Sequence, residues 1–451
     1  MAAQPDTIVA IATPAGRGGI GVVRISGPAA MAIGTALAHR LPPPRMAGHR
    51  LFLDDDGGTI DEGLVLYFPA PKSYTGEDVI ELHGHSSRIT LNRLVDRAIR
   101  LGARLARPGE FTERAFHNGK IDLLQAEAVA DLVDSVSVQA ARSAIRSLEG
   151  EFSKKIRSLL EKLIEARVYV EGALDFPDED TEMLTGPGVL SRLNDCRAVL
   201  DDILARARQG AVLREGVSAV IAGRPNVGKS TLLNRLAGRE AAIVTASPGT
   251  TRDLVGEHLL IDGVPVHLLD TAGLRRTGNE AELEGIRRAR NAAAQADIVI
   301  VMIEYGQSLG AMERRLIAEI GSGTQAIVVH NKTDLAGVSP ALRTGQGRPP
   351  EILLSAKTGE GVELLERQLR NCLGMSMAHE DVFLARQRHL DALGRARSLL
   401  ENGLNRYAEQ KAVELLADDL RLAQQALGEI TGEFVSDDLL GEIFSRFCIG
   451  K

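Results

Sequence analysis

The segment from Gly223 to Ser230 constrains the fold of this chain more than any other feature of its sequence. It reads GRPNVGKS, matches G-x-x-x-x-G-K-[ST], and lies between an apolar run, 217–222, and a helical run, 231–236. A glycine-rich turn between a strand and a helix directs backbone N–H groups and the positive end of the helix dipole at a phosphate chain. Lys229 then neutralises the outer phosphates and the Ser230 hydroxyl ligates magnesium. The sequence therefore predicts a phosphate-binding loop in an α/β domain.

Three further motifs each follow an apolar run, and a fourth lies in a predicted loop. The three read Asp270-Thr-Ala-Gly273, Asn331-Lys-Thr-Asp334 and Ser355-Ala-Lys357, and the fourth reads Gly249-Thr-Thr-Arg-Asp253. Ligands of α/β sheets bind at the carboxyl ends of the strands, so these motifs are expected to converge on the phosphate loop. Their order along the chain predicts a guanine-nucleotide site.

Each motif supplies one part of that chemistry. Asp270 is expected to hold magnesium through water, Thr251 to reach the same ion, and the Gly273 N–H to bond the γ-phosphate. Asp334 can accept hydrogen bonds from the N1–H and amino group of guanine, a donor pair that adenine lacks, while the Ala356 N–H can donate to the guanine oxygen. The predicted GTP-binding positions are Asn226, Val227, Gly228, Lys229, Ser230, Thr231, Thr245, Ala246, Ser247, Pro248, Gly249, Thr250, Thr251, Asp270, Thr271, Ala272, Gly273, Asn331, Lys332, Thr333, Asp334, Ser355, Ala356 and Lys357.

The residues leave the mechanism of hydrolysis open. Ras-like enzymes orient the attacking water with a Gln immediately after the DTAG glycine, but this chain has Leu274 there. A monovalent cation held by Asn226 and by backbone carbonyls of the loop 234–250 could neutralise the developing charge. A carboxylate among Glu280, Glu282 and Glu284 could position the water, and the sequence does not choose among the three.

Periodicity predicts a multidomain α/β plus α protein. Residues 1–118 read as an α+β domain, 119–214 and 378–451 as two parts of one all-helical domain, and 215–377 as a P-loop domain inserted into it. A net charge of −7 and 3% aromatic residues argue against a protein that coats nucleic acid or stacks bases. Three scattered cysteines and the lack of a long apolar run predict a cytoplasmic protein without a membrane span.

Two other patterns carry weaker predictions. Gly16, Gly18 and Gly21 satisfy G-x-G-x-x-G, but the next residues, 22–26, read as a strand where a dinucleotide site needs a helix. We therefore reject a dinucleotide site here, and any flavin or nicotinamide chemistry is expected on a partner. Five arginines recur at spacings of four and three, which predicts one face of a helix, either solvated or in contact with nucleic-acid phosphates or a partner protein. They are Arg93, Arg97, Arg100, Arg104 and Arg107.

Further motifs lie along the whole chain. They are Thr7-Ile-Val-Ala10, Thr13-Pro-Ala-Gly-Arg-Gly-Gly19, Arg24-Ile-Ser-Gly27, Tyr74-Thr-Gly-Glu-Asp78, Arg107-Pro-Gly-Glu-Phe111, Asp175-Phe-Pro-Asp178, Gly432-Glu-Phe434 and the tail Phe447-Cys-Ile-Gly-Lys451. Together they resemble the MnmE (TrmE) family of tRNA-modifying GTPases, and tRNA is then the nucleic acid that the arginine series would contact. The resemblance implies a homodimer that modifies carbon 5 of the wobble uridine of certain tRNAs. It implies an FAD-dependent partner, MnmG (GidA), in a heterotetramer, and it leaves the nitrogen source open between glycine and ammonium.

The resemblance also implies roles for individual residues. Potassium is expected at Asn226 and the backbone carbonyls of Thr245, Ser247 and Thr250, magnesium at Ser230 and Thr251, and the catalytic water at Glu282. Ser247-Pro-Gly249 departs from the family's usual Ile-Ala-Gly, which affects the geometry expected of the cation loop.

The N-terminal domain is expected to hold a folate one-carbon donor, 5,10-methylene- or 5-formyl-tetrahydrofolate. The positions implied by the resemblance are Arg24, Glu81, Lys120 and Lys451, and Cys448 is either a buried small residue or a catalytic thiol near the folate. Two rival functions remain: a ribosome-assembly or signalling switch, and an aminomethyltransferase carrying an unrelated GTPase domain.

Overall fold

A computed structural model describes residues 6–175, 187–237, 256–261, 263–270, 292–293, 296–321, 323–372, 382–410 and 412–450. The chain divides into two compact units, one of Met1–Ala130, Leu148–Leu193 and Ser398–Lys451, the other of Asp131–Ser147 and Asn194–Arg397. The fold class predicted from the sequence is confirmed, with an N-terminal sheet, a P-loop α/β sheet and helical segments on both sides of the latter in sequence. The domain boundaries at 118, 214 and 377 stay a prediction.

The described elements are numbered in chain order. The strands are β1 (Ile8–Ile11), β2 (Gly21–Ser26), β3 (Gly48–Leu53), β4 (Thr59–Phe68), β5 (Val79–Gly84), β6 (Arg104–Leu105), β7 (Val217–Gly223), β8 (Gly256–Ile261), β9 (Val264–Asp270), β10 (Ile298–Glu304), β11 (Gln325–Asn331), β12 (Ala341–Gly345) and β13 (Arg348–Leu353). The helices are α1 (Ala30–Ala38), α2 (Arg88–Arg100), α3 (Glu110–His117), α4 (Leu123–Asp134), α5 (Val138–Leu148), α6 (Glu151–Asp175), α7 (Pro187–Glu215), α8 (Lys229–Ala237), α9 (Ala311–Glu319), α10 (Thr333–Ala336), α11 (Val362–Cys372), α12 (Gln387–Gln410), α13 (Val413–Thr431) and α14 (Asp437–Ser445).

The first unit contains a six-stranded sheet in the order β3-β4-β5-β2-β1-β6. Its pairs are antiparallel except β1–β6, and α1 and α2 cover one face. Alternate residues of β2 and β5, such as Val23, Ile25, Ile80 and Leu82, enter this core, as the two-residue period of a strand requires. The intervening residues, which include Arg24 and Glu81, therefore occupy the opposite face. The strand expected after Gly21 is confirmed by β2.

The prediction that five arginines share one face of a helix is wrong for Arg104 and Arg107. Helix α2 ends at Arg100, and Gly102, with φ +105°, turns the chain. Arg104 therefore lies in β6, where it pairs with Ile8 of β1. Arg107 lies beyond that strand. On the helix, Arg93 and Arg100 donate to Asp54 at 2.7 and 2.8 Å in the β3–β4 turn. The nucleic-acid hypothesis is thus restricted to three arginines, Arg97 included, that already bind acids of their own unit.

The second unit contains a seven-stranded sheet in the order β12-β13-β11-β10-β7-β9-β8. Its five inner strands are parallel, and β12 and β8 are antiparallel edges. Apolar clusters lie on both faces, which explains why a strand such as β10 is an almost unbroken apolar run. The carboxyl ends of β7, β11 and β13 lead into the predicted phosphate and base motifs. Among the described residues, no helix has the length and apolarity needed to cross a membrane.

Candidate functional site

The phosphate loop follows β7 and precedes α8, as its motif predicts. Gly223 has φ +151°, and a Cβ there would lie 2.3 Å from the Met302 carbonyl oxygen. Gly228 has φ +100°, and a Cβ there would lie 2.3 Å from Asn331 Nδ2. Both glycines are required because the loop turns sharply and packs against neighbouring strand ends. Asn226 adopts φ +64° and is exposed at the loop surface.

Lys229 is anchored by the loop that it serves. Its Nζ donates to the Gly223 carbonyl oxygen at 2.7 Å and to the Arg224 carbonyl oxygen at 2.9 Å, and the residue is 9% exposed. The ammonium group therefore lies over the loop, at the N-terminus of α8, where backbone N–H groups and the helix dipole also favour an anion. Ser230 is exposed in the same first turn.

The base motifs meet the phosphate loop through Asn331. This buried side chain donates from Nδ2 to the Val227 carbonyl oxygen at 2.7 Å, and its Oδ1 accepts the Ala356 N–H at 2.9 Å. The N–H predicted to meet the guanine oxygen is thus already bonded, so the base would share it in a three-centre bond. Ser355 Oγ donates to Asp334 Oδ1 at 2.7 Å, which orients that carboxylate. Lys332 Nζ lies 3.2 Å from Glu304 Oε2, and Thr333 is fully buried.

Only part of the predicted hydrolytic site is described. The backbone of Asp270 ends β9 and pairs with Ile221 of β7, two residues before Gly223, so the end of β9 lies beside the phosphate loop. The remaining predictions lie outside the described residues: Thr245, Ala246, Ser247, Pro248, Gly249, Thr250, Thr251, Thr271, Ala272, Gly273 and Glu282, with Glu280 and Glu284 and the Asp270 side chain.

The predicted folate residues Arg24 and Glu81 form an ion pair on the sheet face opposite the helices. They face each other across β2 and β5, with Arg24 Nη2 2.8 Å and Arg24 Nε 2.9 Å from Glu81 Oε1. His83 Nε2 lies 3.1 Å from Glu81 Oε2. The Arg24 guanidinium also lies 5.5 Å from the Tyr74 ring centre and 5.7 Å from that of Phe111, within cation–π range.

The charge state of Glu81 follows from these neighbours. Burial raises the pKa of its carboxyl, but the hydrogen bond to His83 and the charge and hydrogen bonds of Arg24 outweigh it, so the net pKa is lowered. Glu81 is therefore an ionised acceptor at neutral pH. Lys120 has a different contact: its Nζ donates to the Pro71 carbonyl oxygen at 3.0 Å.

The C-terminal tail reaches the same region of the first unit. Arg24 Nη1 donates to the Gly450 carbonyl oxygen at 3.3 Å, and the Gly109 N–H donates to that of Cys448 at 3.3 Å. Gly450 has φ +95°, and a Cβ there would lie 2.4 Å from the Ile11 carbonyl oxygen. Lys451 lies outside the described residues. Cys448 is exposed, so its interpretation as a buried small residue is wrong, and the role of its thiol stays a prediction.

Sequence reasoning missed two residues of these sites. His83 shares the sheet face of Glu81 because it is two residues further along β5, a spacing that could have identified it once that strand was assigned. Arg235, in the last turn of α8, donates to the carbonyl oxygens of Ala356 and Lys357. These two residues lie in the loop after β13 that carries the Ser355-Ala-Lys357 motif, here called the base loop. No local pattern marks Arg235, because its partners lie more than a hundred residues away in sequence.

Known proteins match nearly the whole chain. The family model "MnmE helical domain" matches residues 123–448, and the family model "GTP-binding protein TrmE N-terminus" matches residues 7–120. The chain is 52% identical over 450 residues to the tRNA modification GTPase MnmE of Stutzerimonas stutzeri, covering 99% of each protein. It is 51% identical over 450 residues to that of Coxiella burnetii, again covering 99% of each.

A partial likeness to a solved structure adds nothing to this assignment. Aquifex aeolicus Era bound to GDP and AlF4− is 22% identical, matches 41% of this chain and 66% of its own, and gives a TM-score of 0.27. The family models and the full-length relatives suffice: this chain belongs to the MnmE family of tRNA modification GTPases.

Proposed function

We propose that this chain hydrolyses GTP in order to add a carboxymethylaminomethyl group to carbon 5 of the wobble uridine of certain tRNAs. It acts as a homodimer together with an FAD-dependent partner of the MnmG (GidA) type. The observation that carries the proposal is the convergence of Lys229, Asn331, Asp334 and Ser355 at the carboxyl ends of β7, β11 and β13, in a chain related over its full length to tRNA modification GTPases.

Guanine selectivity rests on Asp334. Its carboxylate is oriented by Ser355 Oγ, and Asn331 joins the base loop to the phosphate loop, so both ends of the nucleotide meet one connected set of hydrogen bonds. A carboxylate that accepts two hydrogen bonds from the guanine edge discriminates against adenine, because adenine lacks that pair of donors and would leave the half-buried Asp334 carboxylate without them.

The described residues fit the proposed cations. Ser230 is exposed in the first turn of α8, where its hydroxyl would hold magnesium, a cation that prefers oxygen ligands. Asn226 is exposed in the phosphate loop, where its amide oxygen would hold potassium. When bound, the two ions would supply positive charge against the negative charge that develops on the phosphates. We assign Thr251 to magnesium, the carbonyls of Thr245, Ser247 and Thr250 to potassium, and the orientation of the water to Glu282.

The first unit is proposed to bind the tetrahydrofolate one-carbon donor. The ionised Glu81 can accept hydrogen bonds from the N–H groups of a reduced pterin, while Arg24 presents a guanidinium beside two aromatic rings. We assign Lys120 and Lys451 to the anionic glutamate tail of the folate. We assign Cys448 the role of a reactive thiol near the bound folate. We place FAD on the partner.

The guanine assignment is tested by Asp334→Asn with GTP and xanthosine triphosphate as alternative substrates. The amide can donate to the extra xanthine carbonyl, so affinity for GTP should fall and affinity for xanthosine triphosphate should rise, each by about tenfold or more. Arg315→Ala, which removes an exposed arginine paired with Glu319, is the control. Unchanged GTP affinity in Asp334→Asn would remove Asp334 from the base site.

Two outcomes would favour the rival functions. Hydrolysis that is equally fast in potassium and sodium salts, with tRNA modification intact in cells lacking the gene, would favour a ribosome-assembly or signalling switch. Transfer of a one-carbon unit by the purified chain without any flavoprotein would favour an aminomethyltransferase.

A further inference from the structure

Helix α8 connects the two ends of the nucleotide site. It begins at Lys229, in the phosphate loop, and its last turn contains Arg235. Arg235 is half-buried, and it extends to the loop after β13, which carries the Ser355-Ala-Lys357 motif. One rigid element of nine residues thus contacts both the phosphate loop and the base loop.

The contacts of Arg235 are directed at main-chain oxygens of the base loop. Its Nε donates to the Ala356 carbonyl oxygen at 3.3 Å, and its Nη2 donates to the Lys357 carbonyl oxygen. Gly359, with φ +90°, lies against the same guanidinium, since a Cβ on this glycine would lie 3.5 Å from Arg235 Nη1. The Nε and Nη2 donors of the planar guanidinium lie in a fixed geometry that matches these two carbonyls, and the single ammonium nitrogen of a lysine at position 235 would not reproduce that geometry.

The base loop is otherwise closed by hydrogen bonds within itself. The Ser355 N–H donates to the Glu360 carbonyl oxygen at 2.9 Å, and the Gly359 N–H to that of Ser355 at 2.8 Å. The Thr358 N–H donates to Ser355 Oγ at 3.2 Å. These bonds shape the turn. Side chains outside the loop attach it to the rest of the domain: Asp334 accepts from Ser355 Oγ, Asn331 accepts the Ala356 N–H, and Arg235 donates to the Ala356 and Lys357 carbonyl oxygens.

We propose that Arg235 is a positioning residue for guanine recognition, which holds the peptide groups around Ala356 so that the Ala356 N–H meets the 6-oxygen of the base. This inference rests on the proposed GTP-binding function and deepens it. A different role for Arg235 is a favourable charge at the C-terminus of α8, which any cation would fulfil and which would not depend on the base.

The test measures the affinity of the full-length chain for three nucleotides, in wild type, Arg235→Ala and the control Arg315→Ala. The nucleotides are GDP, 2-aminopurine riboside diphosphate, which lacks the 6-oxygen, and ADP. We expect Arg235→Ala to weaken GDP binding about tenfold, equivalent to about 1.4 kcal/mol, and to leave binding of the 2-aminopurine nucleotide unchanged. The control should match wild type on every nucleotide.

Each other outcome has one meaning. Equal weakening for GDP and the 2-aminopurine nucleotide, or unchanged GDP affinity, would overturn the proposal. If Arg235→Ala melts well below the control, Arg235→Lys is measured instead; it keeps the charge at the helix end, and we expect the same base-dependent loss. Wild type that binds ADP as tightly as GDP would overturn the proposed GTP function itself, whatever the variants do.

Discussion

Two groups of charged side chains, one in each unit, are held in different ways. In the α/β unit, Lys229 and Arg235 donate to carbonyl oxygens of loops. In the first unit, arginines donate to carboxylates: Arg24 to Glu81, and Arg104 and Arg114 to Glu110. Hydrogen bonds to carbonyls do not titrate and depend on the loop conformation, whereas ion pairs depend on the protonation of the acid. The nucleotide site should therefore be sensitive to loop geometry, and the N-terminal region to acid.

The largest expected effect comes from the carbonyl-anchored lysine. Lys229→Ala removes a charge placed where negative charge develops during phosphoryl transfer, so GTP turnover at saturating nucleotide should fall about 10²- to 10³-fold. Phosphate release by purified full-length protein measures this, with Arg315→Ala as the control. GTP turnover within threefold of wild type would contradict this role, because the phosphate loop would then neutralise the developing negative charge without Lys229.

The acid sensitivity of the first unit is tested at Glu110, whose side chain is 3% exposed. Burial raises the pKa of this carboxyl, but the hydrogen bonds from Arg104 and the Arg107 N–H and the charges of Arg104 and Arg114 outweigh it, lowering the pKa from 4.5 to about 2. Because the folded pKa is lowered, the stabilisation is complete above about pH 4.5 and is lost as the pH falls towards 2.

Glu110→Gln should therefore destabilise the protein at pH 7 by about 2 kcal/mol, the size of a hydrogen bond to a charged group. The difference from wild type should shrink as the pH is lowered from 5 to 3. Melting temperature followed by circular dichroism measures both, with Glu442→Gln, which loses an exposed pair with Arg446, as the control. A difference from wild type that is constant over this pH range would show that Glu110 does not act through its charge.

The smallest expected effect is on tetrahydrofolate binding at the Arg24–Glu81 ion pair. Glu81→Gln keeps the shape of the side chain but replaces one acceptor oxygen by a donor, so affinity for tetrahydrofolate should fall about tenfold, as for the loss of one charge-assisted hydrogen bond. Isothermal titration measures it, and Glu62→Gln, at an exposed residue of β4, serves as the control. Equal affinities for the two variants would place the folate away from the Arg24–Glu81 pair.

How far the sequence could predict each region follows from where its contacts come from. The phosphate loop was predictable because Lys229 binds carbonyls five and six residues away, inside one motif. Arg24 and Glu81 lie 57 residues apart, and the Gly450 carbonyl 426 residues from Arg24, so only the resemblance to a family brought those residues together. The contacts of Arg235 had no such help, being 121 and 122 residues distant.

The prediction of one helix face for the arginines from Arg93 to Arg107 was wrong at its C-terminal end for a related reason. Spacings of four and three continue through Arg104, but the end of α2 is set by Gly102 and by the pairing of Arg104 with Ile8, a strand contact from the other end of the domain. Periodicity counts residues along one element and does not register a competing strand pairing. The boundary of an element is therefore decided by tertiary contacts that the local pattern does not contain.

Mass spectrometry of tRNA nucleosides tests the central claim most directly, in cells with and without this gene. The account predicts that deletion removes a 5-substituted wobble uridine, that wild type restores it, and that Lys229→Ala does not. An unchanged nucleoside profile on deletion, or full restoration by Lys229→Ala, would contradict a GTP-dependent role in tRNA modification.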